Sequence, residues 1–511
     1  MADTENTESI ETPEKANVTN LLFGRRDIYT AVEDLDETNV ISEVNSALVY
    51  HLLNVQEEEY LYWYRRGFQP VLNRTKTYND FVVNKIVENH ADEICTFKGG
   101  YLLQEPAAYV SRKAGKKSKV DKLNEYLYRS GKQTADNKLA DWFHMVGKAA
   151  LYVEPTDDPD VPLKAYALDP RSACVVYSLR AGNKPVYAMN IVLNGYQSLI
   201  DVYTKTKVFH LRGGAAQPRV SDYKNYAATA VDIIGVDTNT LGHIPIIEYR
   251  YNSVNMGAFE AVLPLLDAIS DIQSNRADGI AQFIQSIIVA VNCQFEEGTT
   301  ANKIKEAGMI ALSSIGENKA DFRILSEELN QDQTQTLVDN LYDQVLRICS
   351  MPSTTKGGRS TSDTGSAVIF RDGWEQAASA ARNTEDLFKE SNRYFDEILV
   401  DVLRRVGVLD IKQIDFELNF VRNEVANVQS KAQAAQTMLA MGMHPELAFK
   451  KSGLSNDPVS DVKMSEKYLK LIWGDPDEAI KAEEKPDSNG QGEAVVIEED
   501  NNNGENAEGN A

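Results

Sequence analysis

Two separate runs of apolar residues recur at helical spacing between Pro264 and Asn383. In the first, Leu265, Ile269, Ile272, Arg276, Ile280, Phe283 and Ile287 share one stripe. Polar Asp271, Gln273, Ser274, Asn275 and Asp278 take much of the remaining surface. This spacing predicts a helix from Pro264 to Ile287, a rod of roughly 36 Å with Gly279 inside it. The second run opens at Asn330, an N-cap with Gln333 as its capping-box partner. Leu337, Leu341, Val345 and Ile348 follow on one stripe, which ends near Cys349–Pro352. Between the rods lies an insert of β character: Ile287–Val291, Gly308–Ser314 and Ala320–Leu325. After Pro352 the segment STTKGGRSTSDTGSA has no apolar anchor and carries Lys356 and Arg359. It is predicted to be an exposed, mobile loop. A third helical pattern runs from about Ala367 to Arg405.

Upstream, a helical pattern from Val40 to Arg66 ends in the aromatic–basic cluster YLYWYRR (Tyr60–Arg66). Such a cluster either stacks on bases or packs a helix on a core with its arginines wet; the second reading is favoured. A helix is predicted from Tyr78 to about Cys95, with Phe81, Val82, Ile86, Val87 and Ile94 inward. Gly99–Val110 reads as two short strands around a turn. The strongest basic run, Ser111–Lys119, lacks the glycine spacing and the Ser or Thr of a phosphate loop and reads as a solvated connection. Helices are expected at Lys122–Tyr128 and Asn137–Lys148. A tract of six closely spaced strands follows, Ala149–Arg212, then Gly242–Asn252. Short polar turns between them argue for antiparallel meanders. Beyond the third helix come a strand at Ile414–Asn423 and helices at Val425–Met441, Pro445–Lys451 and Pro458–Trp473. The fold class is α+β.

Charge changes this picture chiefly at the ends. The 76 acidic residues exceed the 53 basic ones by 23, and much of the excess lies in residues 1–17 and 475–511. Both tails are poor in large apolar residues and are predicted to be disordered. The remaining body is still acidic, which argues against a broad nucleic-acid grip. No signal peptide or membrane-spanning run is legible. Cys95, Cys174, Cys293 and Cys349 form no CxxC pair, and the six histidines are isolated, so free thiols and no metal, cofactor or catalytic site are expected.

The ordered set of features resembles the portal proteins of tailed bacteriophages. The stretches that carry the resemblance are YRRGFQPVLNRTKTYNDFVVNKIVENHADEICTFKGGYLLQEPAAYV, SGKQTADNKLADWFHMVGKAALYVEP, YALDPRSACVVYSL, LGHIPIIEYRYN, LLDAISDIQSNRAD and FELNFVRN. Together they span about Val40 to Trp473; no single motif is diagnostic. The resemblance implies a dodecameric ring at a single capsid vertex of the virion, assembled in the host cytoplasm. Double-stranded DNA would pass through it during packaging and ejection. The implied partners are the terminase large subunit, a head-completion adaptor protein, and the major capsid and scaffolding proteins, with no membrane. Residues 20–263 and 366–424 would form the wing, 264–287 and 330–350 the stem helices, and 288–329 the clip. Residues 351–365 would be the tunnel loop and 425–474 the crown, with 1–19 and 475–511 as acidic tails. In that frame Asp271, Asp278, Asp332, Asp339 and Asp343 would line the channel. Ser353, Thr354, Thr355, Lys356 and Arg359 would meet the DNA.

Two other classes compete. A packaging ATPase needs a phosphate loop and a Mg²⁺-holding acid after a strand, and neither is found. A non-enzymatic structural capsid or scaffold oligomer without a DNA-conducting role fits the lack of motifs but leaves the rod–insert–rod–loop order unexplained.

Overall fold

In the computed structural model the described residues are 24–76, 82–194, 197–215, 228–284, 287–291, 293–294, 313–314, 321–325, 331–353, 373–420, 428–454 and 458–473. A short strand, β1 (Ile28–Thr30), leads to α1 (Val40–Arg65). Val40, Val44, Ala47, Leu48, Val55, Leu61 and Tyr64 lie buried along α1, each three, four or seven residues from another of the set, as one helix face requires. Next come α2 (His90–Leu102), β2 (Ala108–Ser111), α3 (Lys117–Arg129) and α4 (Lys132–Val146). Gly147 closes α4 with a φ of +92°. A Cβ there would lie 2.1 Å from the Asn255 carbonyl oxygen, so no other residue fits this crossing.

The β tract comprises β3 (Lys148–Pro155), β4 (Leu163–Leu168), β5 (Ala173–Ser178), β6 (Pro185–Asn194), β7 (Gln197–Tyr203), β8 (Lys207–Ala215), β9 (Ala228–Thr238) and β10 (Ile246–Arg250). The meander expected from the short turns is present. One sheet runs in the order β1-β5-β6-β7-β8-β9, antiparallel except for the β1–β5 pair. Alternate residues, among them Val176, Tyr187, Met189, Ile200, Val202, Phe209 and Leu211, pack against Val44 and Leu48 of α1. A second sheet, β10-β3-β4, is antiparallel throughout. Strands β1 and β9 have no counterpart in the sequence reading.

The two rods are α5 (Leu263–Ile284) and α6 (Gln331–Ile348). Helix α5 continues through Gly279 and stops three residues before the expected Ile287. The insert between them holds β11 (Ile287–Val291), β12 (Cys293–Gln294), β13 (Ser313–Ser314) and β14 (Asp321–Leu325). Antiparallel β11 and β14 set Ile287 opposite Leu325. The predicted cap at Asn330 and residues 308–312 lie outside the described residues. Helix α7 (Trp374–Arg405) then lays Phe388, Phe395, Ile398, Leu399 and Leu403 into a core shared with α4 and the three-stranded sheet. Each such side chain contributes roughly 1.5–3 kcal/mol by leaving water. Strand β15 (Phe416–Asn419) pairs with β2. The last helices, α8 (Val428–Ala440), α9 (Pro445–Ser452) and α10 (Pro458–Trp473), pack on one another and bury Ala435 and Ala448.

Two local readings are corrected. Gly99–Leu102 is the end of α2, and only Ala108–Ser111 of the predicted strand pair is a strand. Val82–Asn89 is not helical, and α2 begins only at His90. The run VVNKIVEN is rich in β-branched residues, which fit an extended chain better than a helix. Its backbone amides also have partners far away in sequence, described next.

Candidate functional site: the paired helices and the strap along them

Helices α5 and α6 pack through Leu266 and Ile269 on one side and Val338, Val345 and Leu346 on the other. Arg276, placed by its spacing on the apolar stripe, bridges the pair. Its Nη1 donates to Gln273 Oε1 at 2.8 Å and to Gln335 Oε1 at 2.7 Å. The Gln335 amide donates in turn to Asp339 Oδ1 at 2.6 Å. Each rod is also pinned to the helices upstream. Tyr64 Oη donates to Asp267 Oδ1 at 2.8 Å, and Tyr342 Oη donates to Glu93 Oε1 at 2.6 Å. Burial, with the Asp267 charge beside it, pushes the Tyr64 hydroxyl far above its ordinary pKa, so it stays a donor.

The polar face of α5 seats the extended segment Val82–Asn89 as a strap. The Glu88 amide donates to Ser270 Oγ at 3.4 Å, the Ile86 amide to Ser274 Oγ at 2.9 Å, and the Asn84 amide to Asp278 Oδ1 at 2.6 Å. The match is metric. Two residues of extended chain advance about 6.6 Å, and four residues of helix advance about 6 Å. Alternate strap residues therefore meet oxygens at i, i+4 and i+8, with the two chains running antiparallel. Gln273 Nε2 adds a bond to Glu88 Oε1 at 2.6 Å.

The far end of the strap is tied by charge. Lys76 Nζ lies 2.6 Å and Arg74 Nη2 3.1 Å from Asp278 Oδ2, while the Asn84 side-chain amide donates to Oδ1 at 2.9 Å. Burial opposes ionisation of Asp278, but the hydrogen bonds from Lys76 and Asn84 outweigh it and hold the carboxyl below its ordinary range.

The five candidate acids of the rods are thereby separated. Asp271, Asp332 and Asp339 are exposed, whereas Asp278 and Asp343 are buried. Asp278 serves the strap, and Asp343 accepts from Ser353 Oγ at 3.0 Å. Thr354, Thr355, Lys356 and Arg359 lie outside the described residues. The residues that sequence reasoning missed are Ser270, Ser274, Arg74 and Lys76. Their one signal was the Ser–Ser–Asp spacing of four along α5. Among the described residues, three apolar side chains of the rods stay about half exposed: Ile280 is 50%, Leu337 50% and Ile348 54% exposed. Of the predicted α6 stripe, Val345 is buried, whereas Leu337 and Ile348 point away.

The aromatic–basic cluster is occupied internally. Tyr62 stacks on Trp142 with centroids 5.8 Å apart, and the Arg171 guanidinium sits 4.1 Å over the Tyr62 ring. Arg65 is paired with Asp92 and Asp141. In the basic run, Lys113 and Lys116 turn back on Asp415 at 2.9 and 3.6 Å. Cys95, Cys174 and Cys349 are free and buried. Among the described residues, no helix is long and apolar enough to cross a membrane.

The chain is an α+β subunit with two long helices joined by a small β insert, and with a strap fastening the first. Residues 51–481 match the family described as phage portal protein, SPP1 Gp6-like, and the chain belongs to that family. A search of curated proteins gives no match.

Proposed function

We propose that the chain is the subunit of a ring, dodecameric by family likeness, at a single capsid vertex of the virion. The ring is the channel through which double-stranded DNA is packaged and later ejected. It assembles in the host cytoplasm and is the dock first for the terminase large subunit and then for a head-completion adaptor, beside the major capsid and scaffolding proteins. Its region boundaries are those given for wing, stem, clip, tunnel loop and crown, and the chain itself is not an enzyme. Asp271, Asp332 and Asp339 are the acids available to the channel wall, where a weakly acidic surface lets the duplex slide. Asp278 and Asp343 act inside the subunit instead.

The observation that carries this reading beyond family membership is the uncovered apolar set Ile280, Leu337 and Ile348 on the paired helices. Packing against a neighbouring subunit would cover it and close a ring. Light scattering and electron microscopy of the purified chain are expected to show a closed ring with a central channel. Leu337→Glu with Ile348→Glu is expected to shift it towards folded monomers. A wild-type monomer or dimer across ionic strengths would sink the ring.

The loop carries a separate expectation. Lys356 and Arg359 would form belts of positive charge that touch phosphates without reading sequence. Lys356→Ala with Arg359→Ala is expected to leave the ring intact and to shorten or release the packaged DNA. Full-length genomes stably retained in particles built with the double mutant would leave the loop a spacer.

A further inference from the structure

The N-terminal segment Gly24–Asp27 is held by an ionic cluster in which every carboxylate but one has a cation. Arg25 Nη2 lies 2.6 Å from Glu260 Oε1 and its Nε 3.0 Å from Glu57 Oε2. Arg26 Nη1 lies 2.9 Å from Glu57 Oε1. Lys148 Nζ is 2.7 Å from Asp27 and 3.2 Å from Glu248, and Arg250 reaches the same two acids at 3.1 and 3.0 Å. The exception is Glu58, 3% exposed on α1, whose Oε2 is buried without a hydrogen-bond partner among the described residues. It borders a cavity of about 20 Å³ lined also by His51, Asn54, Lys148, Cys174 and Glu248. That volume holds a single water. A metal cation fits poorly, because the Lys148 ammonium lines the same wall. Among the described residues no group of three or more His, Cys, Asp and Glu side chains is arranged to hold one.

We propose that Glu58 is a buried proton-binding site: its carboxyl carries a proton in the folded chain, and loss of that proton loosens the docking of Gly24–Thr30 on α1. The cluster explains why the extra charge goes to Glu58. Its five carboxylates, Asp27, Glu57, Glu58, Glu248 and Glu260, face four cations, Arg25, Arg26, Lys148 and Arg250. One negative charge is left over, and Glu58 is where it has no contact. Asp169 adds repulsion, and the smaller attraction of Arg171 comes from a guanidinium already paired with Asp169 and Glu59. His51 brings no compensating charge. Burial lowers its pKa to about 4, and its Nε2 is committed to the Arg171 carbonyl oxygen at 3.0 Å. The Cys174 thiol is likewise kept neutral by burial.

Burial pushes the Glu58 carboxyl up from 4.5 to about 7, against the attraction of Arg25 and Lys148. The folded chain therefore keeps the proton where the unfolded chain has released it. The stabilisation is complete below the ordinary value and is lost as the pH rises towards 7. Desolvating an unpaired carboxylate is costly, so the charged form favours opening of the segment.

The test compares the full chain with Glu58→Gln, which keeps the shape and cannot ionise. Denaturant titrations are expected to agree near pH 4, below the ordinary glutamate value. Near pH 8 they should separate, with the folded-to-unfolded ratio of Glu58→Gln higher by up to a factor on the order of 100. Amide exchange of residues 24–30 should quicken with pH in the native chain more than in the variant. An equal gap at both pH values overturns the proposal. If Glu58→Gln does not fold, infrared spectra of the glutamate-labelled native chain decide: a protonated carboxyl band near pH 6, lost near pH 8, supports the site, and its absence overturns it. None of these readouts requires a ring.

Discussion

Replacing Arg25 with methionine is expected to lower the stability of the folded chain by about 3–5 kcal/mol. The Arg25 side chain is 0% exposed, and it is the cation held against both Glu57 and Glu260. Methionine fills similar volume, so packing is nearly conserved and the loss reports charge. Glu260 would be left buried beside Glu57 without the guanidinium. Burial already raises the Glu260 pKa while Arg25 opposes it, so proton uptake limits the cost. Arg26→Met supplies the contrast: that side chain is 38% exposed, and the loss is expected to stay within about 1 kcal/mol. Adding Glu260→Gln to Arg25→Met should recover part of the loss. The measurement is the denaturant midpoint at unchanged slope. A loss below about 1 kcal/mol for Arg25→Met would show that the buried pair contributes nothing net.

Asp278→Ala is expected to free the strap while leaving the rest of the subunit folded. The substitution removes the acceptor of the Asn84 amide and leaves Arg74 and Lys76 without their shared anion. Hydrogen bonds to a charged group are worth about 1.5–3 kcal/mol, so amide exchange at Asn84, Ile86 and Glu88 should accelerate by about 10–100-fold. Ser270→Ala or Ser274→Ala should have smaller, local effects. The pH dependence follows from the lowered pKa of Asp278. Its contribution is present above the ordinary aspartate value of 3.8 and is lost as the pH falls through the lower folded value. Protection in the native chain should therefore hold across neutral and mildly acidic pH and collapse only in strong acid. Unchanged protection in Asp278→Ala would mean that apolar contacts such as the buried Val82, not the zipper of oxygens, hold the strap.

The strap also shows where sequence reading stopped. Val82, Ile86 and Val87 fit a helical stripe, and the same run of β-branched residues fits an extended chain; nothing local chooses between them. The choice is made by Ser270, Ser274 and Asp278, some 190 residues away, whose oxygens take the amides a helix would have kept. The candidate acids met the same limit. All five sit on helices in accord with their spacing, but an acid on a helix reads alike whether it faces water or a strap. Likewise the α6 stripe was legible as apolar, while the turn of the helix that buries Val338 and exposes Leu337 depends on what α5 presents to it.

What the sequence by itself determined are the features with a period. The two rods, α7, the last three helices and the meander from β3 to β8 follow from repeats of 3.6 or 2, because a residue's face within its own element depends only on local geometry. The resemblance to portal proteins came from particular stretches of sequence and not from those periods, and the family match supports it. Tertiary structure alone decided which polar residues are spent inside the subunit. The Arg25 cluster, the unpaired Glu58 and the Asp278 tie each join segments far apart in sequence. Whether a charge costs or contributes energy depends on the partner that folding brings to it, and pattern along the chain holds no record of that partner.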